Sequence, residues 1–210
     1  MIQKIRDYIL TVFTWLLVLI LASCGMIDIT DHIQTRNWKR VQQSTAPAFY
    51  PHIIEFEKLA RELRDEPTFT IGDIPINFGE LRHGGHIGEC WTYPNGQKEI
   101  VVSFDYWKTA TYLQREALLF HELGHCRLDR RHMTAHLKYS EYDEEGEVIY
   151  SSNLKKSLMN THLIFSNRYE EYRDSYIYEL FTGSTLKLCV DLVLKLEEEG
   201  DNRKVRCYFD

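Results

Sequence analysis

The sequence predicts an α+β domain, on three observations. Apolar residues Ile53, Ile54, Phe56, Leu59, Ala60 and Leu63 recur at helical spacing between Pro51 and Glu66, with charged residues between them. Two short runs, His86–Tyr93 and Lys98–Phe104, are separated by Pro94, Asn95 and Gly96, a turn signal that makes them an antiparallel hairpin. A second helical stretch, Thr109–Cys126, follows that hairpin, with Leu113, Ala117, Phe120 and Gly124 along one stripe.

The chain opens like an exported one. Lys4 and Arg6 precede an uncharged apolar run from Tyr8 to Leu21, the pattern of a secretory leader over residues 1–23. Leu21, Ala22, Ser23 and Cys24 resemble the bacterial lipobox, in which the cysteine is acylated and becomes the new N-terminus. That resemblance implies a lipid anchor at Cys24, the lipid bilayer as a partner, and a place in the bacterial cell envelope. Gly25 rather than Asp follows the cysteine, which favours the outer membrane over the inner. Residues 24–48 show no clean period and read as a tether.

Residues 49–182 form the domain itself, a comfortable size for a single core. Its first helix ends near Pro67, and Ile74–Leu81 is the first strand candidate. After the hairpin and the second helix, Tyr139–Tyr150 is acidic, contains Gly146 and reads as loop. Ser166–Phe181 reads as a closing helix, with Tyr169, Tyr172, Tyr176 and Leu180 on one side and Gly183 just past its end. In residues 183–210 every even position from Leu186 to Leu196 is apolar, so this extension reads as a hairpin turning at Glu198–Asn202. A net charge of −6 without a basic cluster excludes a nucleic-acid surface, and the chain is read as a monomer.

Besides Cys24 there are four cysteines, Cys90, Cys126, Cys189 and Cys207, an even number that suggests two disulfides in an exported protein. Proximity in the chain favours Cys90 with Cys126 and Cys189 with Cys207, among three connectivities. The second pair conflicts with the strand reading. If Thr185–Leu196 is extended, Cys189 lies on the face opposite its apolar residues, and direct pairing requires a bulge or twist.

The chemistry is concentrated in Phe120–His132, FHELGHCRLDRRH. On a helix, His121 and His125 lie one turn apart on one face and can direct ring nitrogens at a single metal ion. Glu122 projects beside that ion, where its carboxylate can act as general base toward a metal-activated water. A catalytic zinc needs a third protein ligand. His132 is the natural choice if the helix stops: a continuous helix would carry it about 10 Å along the axis from His125. Asp129 is the residue in between that tolerates a turn, and His136 is the fallback ligand, with Asp129 behind it. His83 and His86 flank Gly84 and Gly85; they could suggest a second metal, though a solvated loop is the preferred reading.

HELGH followed by a third histidine, and by Ser157–Asn160 (SLMN) downstream, resembles the metzincin class of zinc endopeptidases. The resemblance covers roughly residues 52–181 and extends to small bacterial lipoproteins of the metallopeptidase type. It implies a small zincin-like domain with a mixed sheet, an active-site helix, a Met-turn with Met159 beneath the metal, and a closing helix. It also implies a bound Zn2+ held by His121, His125 and His132, with Glu122 catalytic. An edge strand, for which His86–Tyr93 is the candidate, would pair with an extended peptide or protein substrate. The chain departs from the class pattern in two places. Leu128 stands where the class has Gly, with His132 one residue late, and Thr161 stands where some members have a Tyr ligand.

The function expected on these grounds is a membrane-anchored zinc endopeptidase. The competing classes are a non-catalytic lipoprotein that retains a metal for binding or assembly, and a hydrolase of a non-protein amide. Glu122 speaks against the first, because a purely structural zinc needs ligands but no base.

Overall fold

The computed structural model describes residues 44–164, 167–198 and 204–208; the leader, Cys24 and most of the tether lie outside the described residues. Among the described residues no helix is long and apolar enough to cross a membrane. The described residues form an α+β architecture with two three-stranded sheets and six α-helices.

Helix α1 (Tyr50–Arg64) buries Ile53, Phe56 and Ala60 of the predicted stripe together with His52, whereas Ile54 is exposed and Leu59 and Leu63 are half-buried, and it ends at Asp65 in the left-handed region. Phe56 meets Phe69, Phe120 and Phe181, which joins α1 to the helices that carry and close the site. The first sheet holds β1 (Ile76–Phe78), β2 (Gly88–Thr92) and β3 (Lys98–Val102) in the order β1-β3-β2. Strand β3 is central, parallel to β1 and antiparallel to β2 across the Pro94–Gly96 turn. Its Ile100, Val101 and Val102 are almost fully buried, as a central strand requires.

A short helix α2 (Phe104–Thr109) leads into α3 (Tyr112–Leu128), which starts two residues after Ala110 because Thr111 and Gln114 form a capping box. The Thr111 hydroxyl accepts from the Gln114 N–H while the Gln114 side chain accepts from the Thr111 N–H. Burial of ten α3 residues, from Glu116 to Cys126, makes this the central helix of the domain.

Three expectations are corrected. The acidic stretch Tyr139–Tyr150 is not loop: β4 (His136–Tyr142) and β5 (Val148–Lys155) pair antiparallel through a short turn at Asp143–Glu147. There Gly146 has φ of 88° and the Asp143 carboxylate accepts from the Glu147 N–H, so the charged residues form the turn rather than prevent it. Thr185–Leu196 is not a strand but lies largely in helix α6 (Leu186–Glu198). Leucine favours helix, Lys187 and Asp191 form an i,i+4 ion pair, and Leu188 and Leu192, one turn apart, are buried. The C-terminal extension is therefore a helix followed by β6 (Lys204–Tyr208), which joins the second sheet beside β4 in the order β5-β4-β6. Helical geometry also removes the face conflict at Cys189, which is disulfide-bonded to Cys207.

The closing helix is two helices, α4 (Asn167–Glu171) and α5 (Arg173–Thr182), broken at Tyr172. From either side of the break Tyr169 and Arg173 reach the buried Glu116 carboxylate on α3, at 2.8 Å and 2.6 Å to Oε1. Gly183 ends α5 with φ of 77°.

Candidate metal centre

Helix α3 brings His121 and His125 onto one face and stops at Asp129, whose φ of 52° and ψ of 28° place it in the left-handed region. An aspartate tolerates that conformation better than most residues, so the reversal needs no glycine. Two further devices hold the helix end. Lys98 on β3 donates to the Cys126 carbonyl at 2.8 Å and to the Asp129 carboxylate, and Cys126 is disulfide-bonded to Cys90 on β2 with Cα atoms 5.5 Å apart. The chain then doubles back and delivers His132 to the other two histidines.

The three Nε2 atoms lie 3.1 Å (His121 and His125), 3.0 Å (His125 and His132) and 3.3 Å (His121 and His132) apart. Tetrahedral vertices around an ion bound at 2.0–2.1 Å would be about 3.3–3.4 Å apart, so the spacing is that of one coordination shell to within a few tenths of an ångström. Protonation is fixed from behind. His121 Nδ1 donates to the Leu158 carbonyl at 2.8 Å and His125 Nδ1 to the Arg130 carbonyl at 2.7 Å. A carbonyl only accepts, so in the neutral rings both Nε2 atoms present lone pairs to each other, an arrangement that a cation between them satisfies. Burial lowers the pKa of all three imidazoles, His121 to about 4, and so favours the neutral, ligating form. His121, His125 and His132 could therefore hold a metal ion. His136 is not among them: it opens β4, exposed and opposite Lys155.

Glu122 is buried beside this cluster. Burial pushes its carboxyl up to about 8, an effect the Cys90 backbone N–H opposes by hydrogen bonding to it. Gly88 on β2 makes room for this side chain, because a Cβ there would sit 3.0 Å from Glu122 Oε1 and 2.9 Å from Leu118 Cδ1. That requirement was invisible in the sequence.

Ser157–Asn160 is a buried turn beneath the helix. The Asn160 N–H donates to the Ser157 carbonyl, the Leu158 carbonyl holds His121, and the Met133 N–H donates to the Met159 carbonyl at 2.8 Å, which ties the His132 segment to the turn. Met159 packs against the helix at Gly124: a Cβ on Gly124 would lie 2.4 Å from Met159 Sδ and 3.1 Å from Leu180 Cδ1. The glycine of HELGH is thus where the turn touches the helix. Gly124→Ala should gain about 1 kcal/mol in helix propensity yet lose about 1–3 kcal/mol to overpacking, since Met159 is fully buried. The expected result of thermal unfolding is a lower midpoint; a higher one would show that Met159 can move aside.

Sequence reasoning missed the support beneath the turn. Glu179 on α5, 1% exposed, accepts from Ser157 Oγ with one oxygen and from the Arg130 guanidinium with the other. Arg130, whose carbonyl holds His125, also donates to the Glu179 and Leu180 carbonyls at 3.0 Å and 2.7 Å. No local period marks Arg130 and Glu179 as partners, because 49 residues separate them.

The cluster opens into a cleft of about 930 Å³ whose walls include Glu122, Trp91, Leu118 and Leu163. Strand β2 is at the sheet edge, and among the described residues no strand pairs with its outer side. The Tyr93 N–H bonds the Gln97 carbonyl and the Ser103 N–H the Ile87 carbonyl, so by antiparallel alternation the backbone groups of Gly88, Cys90 and Thr92 face away from β3. No family model, no curated protein and no solved structure matches this chain.

Proposed function

We propose that the protein is a zinc-dependent endopeptidase of metzincin type, anchored to the bacterial cell envelope through Cys24, that cleaves extended segments of peptides or proteins. The observation that carries this reading is the convergence of three imidazole Nε2 atoms, within 3.3 Å of one another, beside a buried carboxylate in an open cleft. Support for the class comes from the sheet edge along the cleft and from Met159 packed beneath the histidine-bearing helix. A metal held only for structure would need no carboxylate at Glu122.

His121, His125 and His132 would hold the ion, and zinc suits an all-imidazole set with an open position. Zinc bound there would lower the pKa of a water and polarise the scissile carbonyl. With the cation beside it favouring its ionised form, the Glu122 carboxylate would take a proton from a water adding to the scissile carbonyl and pass it to the amine nitrogen as the C–N bond breaks. The outward backbone groups of Gly88 and Thr92 are placed to pair with an extended peptide, which positions a carbonyl without reading its side chains.

The test uses the full chain purified in detergent, with an unfolded protein as substrate. Hydrolysis should cease on chelation and return with zinc. His132→Ala should lose the activity and one bound zinc, and His136→Ala should lose neither. Hydrolysis that survives chelation, or zinc-loaded protein that cleaves nothing, would refute the reading.

A further inference from the structure

Three residues outside the triad meet in the loop that feeds β2. The segment from His83 to Glu89, HGGHIGE, spaces His83, His86 and Glu89 three apart. The His86 N–H turns back to the His83 carbonyl and Gly85 takes φ of 83°, a conformation that suits glycine, so both imidazoles stand over the same carboxylate. His83 Nδ1 and His86 Nδ1 lie 2.9 Å and 3.1 Å from Glu89 Oε1, and the ring centroids are 5.1 Å apart.

Glu89 is held from beneath. It is 7% exposed, and its Oε2 accepts from the Arg82 N–H at 3.0 Å and the Trp91 indole N–H at 2.6 Å. Its Oε1 accepts from the His83 backbone N–H at 2.9 Å, and both imidazole nitrogens converge on that same oxygen. A carboxylate oxygen has two lone pairs, so three nitrogens compete for them. A cation that takes one lone pair from each ring and shares Oε1 removes the competition.

We propose that His83, His86 and Glu89 form a second metal site, distinct from the His121 cluster. Two imidazoles and one carboxylate suit zinc or a similar borderline dication rather than calcium or magnesium, which prefer oxygen ligands throughout. The ion would brace the loop that enters β2, on the wall of the same cleft, and its remaining positions would be filled by water. The proposal stands whether or not the protein is a peptidase, because it is read from metal content alone.

The experiment is a zinc titration of the full chain in detergent after chelation, followed by metal analysis. Wild type should take up two equivalents at micromolar free zinc. His83→Ala/His86→Ala and His121→Ala/His125→Ala should each bind one, and the fourfold variant none. Anomalous scattering at the zinc edge from crystals of the wild-type protein guards against a variant that misfolds. A peak among His83, His86 and Glu89 is expected beside the one at the triad. Zinc uptake undiminished by His83→Ala/His86→Ala, uptake at that site only at millimolar zinc, or no such peak would each overturn the site and leave hydrogen bonds alone to hold the loop, whereas a single wild-type equivalent that His83→Ala/His86→Ala abolishes would count against the triad instead.

Discussion

Glu122→Gln is expected to keep its fold and its zinc while losing about 100-fold or more in peptide hydrolysis, the usual cost of removing an acid or base catalyst. Glutamine fits the same space between Gly88 and Leu118, and its carbonyl can still accept from the Cys90 N–H. His121, His125 and His132, the group that could hold a metal, are untouched, so bound zinc should be retained. What is lost is the ability to carry a proton at that position, since an amide is not protonated near neutral pH. The decrease should fall on kcat rather than KM, because the residue moves a proton and does not hold the peptide. Full activity with unchanged zinc would sink the proposed role of Glu122. Joint loss of activity and zinc would instead make the residue structural.

The HELGH helix and the hairpin ahead of it were legible because each has a local signal: a 3.6-residue period, and a Pro-Asn-Gly turn. His132 was legible as the preferred third histidine only on condition that the helix stops, since a continuous helix would have carried it out of reach, and His136 stayed open as the fallback. How the chain turns there was not legible. The left-handed Asp129 is stabilised by Lys98, 31 residues earlier, and only the fold brings that ammonium to the helix end. Residues 186–198 misled because Leu188 and Leu192 belong to an alternating apolar series and also stand four apart, the spacing of one helix face. Length and leucine's helix propensity decide between them. The β4–β5 hairpin was hidden by its charge: Glu141 is buried within the strand, and the acidic turn after it resembles solvated loop. Glu89 had no mark at all, because its carboxylate matters only once the glycine turn has placed two imidazoles over it.

Two buried carboxylate–arginine pairs allow stability and metal affinity to be separated. Glu179 with Arg130 lies beneath the triad, and Glu116 with Arg173 lies away from the cleft. Each carboxylate is 1% exposed, so truncating either to alanine removes the closest counter-ion of a partly buried arginine, although Arg173 keeps Asp174 at 3.4 Å and Glu55 at 3.8 Å. Breaking such a pair costs about 3–5 kcal/mol. Arg130 should be at the lower end, because it keeps the Glu179 and Leu180 backbone carbonyls as acceptors. Glu116→Ala strands the Tyr169 hydroxyl as Glu179→Ala strands that of Ser157, and Arg173 likewise keeps other partners, so the two should destabilise by similar amounts. The difference is expected in metal affinity. Glu179→Ala releases Arg130, whose carbonyl orients His125, and Ser157, which opens the turn whose Leu158 carbonyl orients His121. Loss of such outer support typically weakens a metal site about 10- to 100-fold. Zinc competition with a chelator of known affinity, at a temperature where both variants are folded, should show that weakening at the triad for Glu179→Ala and little change for Glu116→Ala. Equal zinc affinity in the two variants would mean that Arg130 and Ser157 hold their places without Glu179, and that the pair serves stability alone.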